Sequence, residues 1–145
     1  MTSLRQKGIS MPHNIQAKIA RIRTYLNVID SLKEECQSRF LDDLVYQGAL
    51  LHYLYLVSDG VISLAQMILK SHDIPYAQSY YEAIDLLGEH QIIPRDFAYD
   101  FAKIASFRNF LAHDYERIDY QKICGDILKK MEEVSLFLTY IEKEV

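Results

Sequence analysis

The chain has 145 residues, half of them hydrophobic and 25% charged, proportions that suit a single core and exclude an intrinsically disordered protein. A formal net charge of -4 and a pI near 5.7 exclude a protein that coats nucleic acid through its overall field, so any RNA contact must be local. Two cysteines, Cys36 and Cys124, lie far apart without a C-x-x-C pair, which excludes a recognisable zinc or thiol redox motif, and both are read as reduced packing residues.

The first eleven residues, MTSLRQKGISM, are polar and lack the apolar centre of a signal peptide. They belong to a tail over residues 1–12, ahead of a single helical domain over residues 13–145. From Pro12 onward, Ile15, Ile19, Ile22, Leu26, Ile29 and Leu32 recur at steps of four and three, the stripe of a long amphipathic helix whose first turn suits Pro12. The stretch Glu34 to Asp43 is polar apart from Cys36, Phe40 and Leu41, and Asp42 or Asp43 is placed to cap a second helix running to about Ser71. That helix is apolar on most of its circumference, so it must be buried on several sides, in the middle of a bundle and against a second copy of the chain. Its longest apolar run, Leu44 to Val57, is too short to span a bilayer and contains Gln47 and His52, which points to a cytoplasmic protein without a membrane partner.

Pro75 ends the second helix. Ser79 followed by Glu82 forms a capping box for a third helix ending near Gly88. Pro94 opens a fourth, carrying Phe97, Phe101, Ile104, Ala105 and Leu111 towards the core. Asp119 caps the last, whose stripe is Ile123, Ile127, Met131, Val134, Leu138 and Ile141. No segment alternates with the period of a strand, so the expected fold is all-α, an up-and-down bundle of about five helices.

The sequence carries no Gly-rich phosphate loop, no H-E-x-x-H and no E-x-x-H, so neither a metal nor a cofactor is expected. Chemistry concentrates in FRNFLAHDY, Phe107 to Tyr115. Arg108 and His113 are five residues apart, about 140° around a continuous helix, so one helix does not bring them together. Convergence requires the helix to end near His113 or a second subunit to supply the partner residue. Asn109 and His113 share a face, which lets the amide orient the imidazole. From spacing alone the same residues also read as a surface cation, a histidine facing the helix dipole and a tyrosine packed under a loop.

The motif R-x4-H-x-Y, here Arg108, His113 and Tyr115, resembles the signature of the HepT toxins, a branch of the HEPN superfamily of helical ribonucleases. GALLHYLYLVSDGVISLAQMIL is similar to the family's apolar helix with an inward acidic residue, here Asp59, and YYEAIDLLGEHQIIPRDFAYDFAKIASFRNFLAHDY to its run from third helix to motif. The likeness extends from about Ile15 to the C-terminus. It implies a homodimer whose motif helices frame a composite cleft that cuts RNA without metal. His113 would then act as general base or acid, Arg108 would clamp the scissile phosphate, Asn109 would hold the imidazole and Asp59 would line the site. It also implies a partner, a minimal nucleotidyltransferase antitoxin of the MntA type, which silences the toxin by moving AMP from ATP onto Tyr115. The competing expectation is a non-catalytic helical subunit that binds substrate for a nucleotidyltransferase, and a third is a purely structural dimerisation bundle.

Overall fold

A computed structural model of the chain describes residues 12–113 and 119–144, all helices and turns. Helix α1 (His13–Leu32) follows Pro12 and buries Ile15, Ile19, Ile22, Leu26 and Ile29, the stripe read from their spacing. A 3₁₀ turn (Lys33–Glu35) and the short α2 (Cys36–Arg39) occupy the segment left without an element. Of the two candidate caps, Asp43 takes the role: its carboxylate accepts the backbone N–H of Tyr46 at 3.0 Å and opens α3 (Leu44–Ser71).

Helix α3 is the spine. It packs against α1, α4 (Tyr80–Glu89) and α6 (Ile104–His113), which bury much of its apolar surface, while Leu44 and Val45 at its start stay exposed. Gly60 lets α1 approach closely, because a Cβ there would lie 3.1 Å from Ile22 Cγ1. The apolar character runs on past Val57, and by length and composition the whole 28-residue helix could cross a membrane, a correction to the reading based on Leu44–Val57. However, 56% of its most apolar window is buried within the bundle, which is the pattern of a core helix.

Ser79 caps α4 by accepting the N–H of Glu82 at 3.0 Å. The helix ends at Glu89, beside Gly88 as expected, though Gly88 does not make the turn. Gly88 is still helical, and Gln91, with φ at 60°, takes the left-handed position, while Gln91 N–H donates to Gly88 O and Ile92 N–H to Leu87 O. Gly88 is needed for packing instead, since a Cβ would meet the Cβ of Ala98 at 2.5 Å.

The expected fourth helix is broken in two, α5 (Arg95–Phe101) and α6, at Ala102 and Lys103. Both halves touch α4, but α5 lies mainly on α4 and α6 mainly on α3. Phe97 and Phe101 stack towards Tyr140 and Phe137 of α7 (Leu128–Lys143), whereas α6 lies on α3 and α4. The end of α5 is satisfied by Lys130, whose ammonium donates to Asp100 O at 3.2 Å and pairs with Glu133. Asp119 caps the last helix as expected, accepting from the N–H groups of Gln121 and Lys122. That helix then passes through a π turn (Lys122–Ile127) before α7.

The cysteines correct the sequence reading. Cys36 at the start of α2 and Cys124 in the π turn, 88 residues apart, are joined by a disulfide with their Cα atoms 5.6 Å apart. Sequence separation concealed a neighbourhood that only the folded bundle creates.

Candidate active site

The site is built on α6 where it crosses α3 and the start of α4. Arg108, on the inner side of α6, has a side chain only 16% exposed, and its Nε donates to Asp59 Oδ1 of α3 at 3.1 Å. The guanidinium lies between two tyrosine rings, 5.5 Å from the Tyr55 centroid and 4.9 Å from that of Tyr80, within cation–π range. Burial works against its charge. The Asp59 bond and the neighbouring Tyr55 and Tyr80 outweigh that and hold its pKa above the ordinary value. The outer nitrogens are less committed, with Nη1 at 3.4 Å from Asn109 Oδ1 and Nη2 at 3.5 Å from the Tyr55 hydroxyl. Contacts this long are weak, so these two nitrogens remain available for an anion.

Asp59 lines the site through its bond to Arg108. Asn109 accepts from Arg108 rather than holding His113, and its amide NH₂ has no hydrogen-bond acceptor among the described residues. His113 ends α6 and is exposed; its imidazole has no hydrogen-bond partner among the described residues. Because α6 is continuous from Ile104 to His113, Arg108 and His113 stay on different sides of one helix, as their spacing requires. Tyr115 lies outside the described residues.

Sequence reasoning missed Tyr55 and Tyr80. Tyr55 and Asp59 stand four apart on α3, a spacing that puts both on one face, and Tyr80 directly follows the Ser79 cap. Neither signal pointed to an arginine 53 positions along the chain from Tyr55.

A model of the HepT-like ribonuclease family matches residues 15–141, a span that holds every residue of this cluster. The chain belongs to the HepT-like ribonuclease family. Among curated relatives it is 22% identical over 127 residues to the mRNA nuclease HepT of Shewanella oneidensis, covering 88% of this chain and 95% of that one. It is 23% identical over 130 residues to the tRNA nuclease HepT of Aphanizomenon flos-aquae, covering 90% and 88%. The fold is similar to that of the tri-AMPylated HEPN toxin of Shewanella oneidensis, solved in complex with an MNT antitoxin. The TM-score is 0.82 at 22% identity, over 92% of this chain and all of that one. It is also similar to YutE of Bacillus subtilis, a cytosolic protein, with a TM-score of 0.66 at 14% identity over 86% and 87% of the two chains.

Proposed function

We propose that this HepT-like ribonuclease is the toxin of a toxin–antitoxin pair, a metal-independent endoribonuclease in which Arg108 and His113 act on RNA. The observation that carries this reading is the state of Arg108: fixed by Asp59 and two tyrosine rings, yet with two nitrogens in long contacts that a phosphate can replace. A guanidinium held in this way clamps a phosphate bidentately and stabilises charge building on its oxygens. His113 takes the proton of a ribose 2′-hydroxyl. That oxygen then attacks the adjacent phosphorus, the bond to the 5′-oxygen breaks, and the leaving oxygen is protonated by a general acid. The products are a 2′,3′-cyclic phosphate and a 5′-hydroxyl.

One helix keeps Arg108 and His113 apart, so the reading places the working cleft between two copies of the chain, each supplying an arginine and an imidazole. Silencing follows from AMP transfer. The Tyr115 hydroxyl attacks the α-phosphorus of ATP, pyrophosphate leaves, and the bound AMP brings bulk and negative charge to the place that RNA phosphate must occupy. The Shewanella oneidensis toxin, AMPylated and in complex with its MNT antitoxin, supports this pairing for a relative with the same fold.

The test is cleavage of single-stranded RNA by the purified chain in a chelator, followed by incubation with ATP and the nucleotidyltransferase and peptide mass spectrometry. Cleavage that stops once AMP is found on Tyr115 is the expected result. Nucleotide binding without any cleavage would favour the non-catalytic subunit instead, and AMP on another tyrosine would end the Tyr115 assignment alone.

A further inference from the structure

Beside the Arg108 cluster, between the start of α4 and α6, runs an open groove of about 590 Å³. Its walls include Tyr80, Tyr81, Lys103, Ser106 and Asn109. Two of these also touch Arg108: Tyr80 stacks on the guanidinium and Asn109 accepts from it. The groove is therefore continuous with the proposed phosphate clamp. Resting on that reading, we infer that it is a nucleotide subsite, taking the base and phosphate of the single-stranded RNA residue next to the scissile bond.

The chemistry of the walls fits this occupant. Tyr81 is 47% exposed and Tyr80 36%, and a nucleobase stacks on such adjacent ring faces whatever its sequence. Lys103, exposed at the turn between α5 and α6, offers the cation for a phosphate of the same strand. The Asn109 NH₂ and the Ser106 hydroxyl oxygen, which itself donates to Lys103 O at 2.8 Å, supply a donor and an acceptor for a base edge. The net charge of -4 gives the remainder of the molecule little attraction for RNA, so a local set of stacking faces and one cation must supply it. Tyr80 serves both places, as a wall of the groove and as a positioning residue for Arg108.

The experiment uses the full chain, a single-stranded oligoribonucleotide for cleavage and its fully 2′-O-methylated, uncleavable counterpart for binding by fluorescence anisotropy. Tyr81→Ala should raise KM and the dissociation constant of the uncleavable strand by roughly 10-fold while kcat changes little. Lys103→Ala should weaken binding less and flatten its salt dependence. Tyr99→Ala, which removes an exposed ring of α5 outside the groove, is the control that should leave both constants unchanged. Melting curves ensure that the Tyr81 variant is folded, and Lys103→Ala carries the test if it is not. Unaltered KM and binding in both groove variants would overturn the subsite and leave the ribonuclease reading in place. So would unaltered RNA constants together with lost binding of the nucleotidyltransferase, which would make the groove a protein contact. If the chain cleaves nothing yet Tyr81→Ala still loses the uncleavable strand, the groove binds a nucleotide but its place beside a scissile bond is overturned together with the ribonuclease reading.

Discussion

Two arginines in this molecule are held by the same residue types to different ends. Arg39, in the corner before α3, bonds to Glu35 at 2.5 Å and Asp43 at 2.6 Å, each four residues away, and lies 4.7 Å from the Tyr46 centroid. Two carboxylates take bonds from all three nitrogens of one guanidinium, and both raise its pKa. Arg108 has a single carboxylate, 49 positions away on another helix, and lies deeper, at 16% side-chain exposure against 44% for Arg39. The corner sets two carboxylates against one cation and is closed further by the Cys36–Cys124 disulfide and by the Tyr46 hydroxyl donating to Leu32 O. The α6 cluster pairs one cation with one carboxylate and leaves two nitrogens weakly bonded. All three nitrogens of Arg39 are bonded to carboxylates, whereas only Nε of Arg108 is.

The comparison breaks most visibly at the disulfide. Closing an 88-residue separation limits the unfolded chain, so reduction or Cys36→Ser should cost about 4 kcal/mol and lower the melting temperature by roughly 10 °C or more. An unchanged melting curve in dithiothreitol would remove the covalent part of the brace. Asp59→Asn tests the other region. It keeps the side chain's size but loses the charge that holds Arg108, and should lower RNA cleavage roughly 10-fold to 100-fold through misplacement of the guanidinium, with little change in melting. Full activity in this variant would show that Arg108 needs no partner on α3.

Smaller effects sharpen the contrast. Burial, and then the nearby Glu35, raise the Tyr46 pKa. A group whose pKa is raised by folding contributes its full stability below its unfolded value, ~10 for a phenol, and loses it as pH climbs through the folded value. The advantage of the wild type over Tyr46→Phe, about 1 kcal/mol at neutral pH, should therefore shrink as pH rises above about 10, as read from paired melting curves. Arg39→Ala should change least, because exposed ion pairs contribute little and are screened by salt; a small loss of melting temperature that disappears in 1 M salt, with cleavage intact, is the expected outcome.

Much of this was legible in the sequence where the cause is local. Asp43, Ser79 and Asp119 cap helices because each offers an oxygen to a backbone N–H two or three residues on, and the apolar stripes of α1 and α7 follow helical spacing. What escaped depends on contacts between distant segments. At Ala102 the chain passes from α5, packed mainly on α4 with rings against α7, to α6, packed mainly on α3. Gly88 is needed for its closeness to Ala98, a neighbour on another helix. Cys36 and Cys124 meet only after the bundle closes. The same holds for the site: the motif drew attention to Arg108 and His113, but Tyr55 and Tyr80 carry no local mark of being an arginine's supports.

If Arg108 is held for RNA rather than for the fold, single-turnover RNA cleavage and thermal melting should part company in Arg108→Ala and His113→Ala, both measured in a chelator. Cleavage should fall by ~100-fold to 10,000-fold in each variant, with melting temperatures within a few degrees of the wild type. Near-full cleavage by either variant, or unfolding of both, would contradict it.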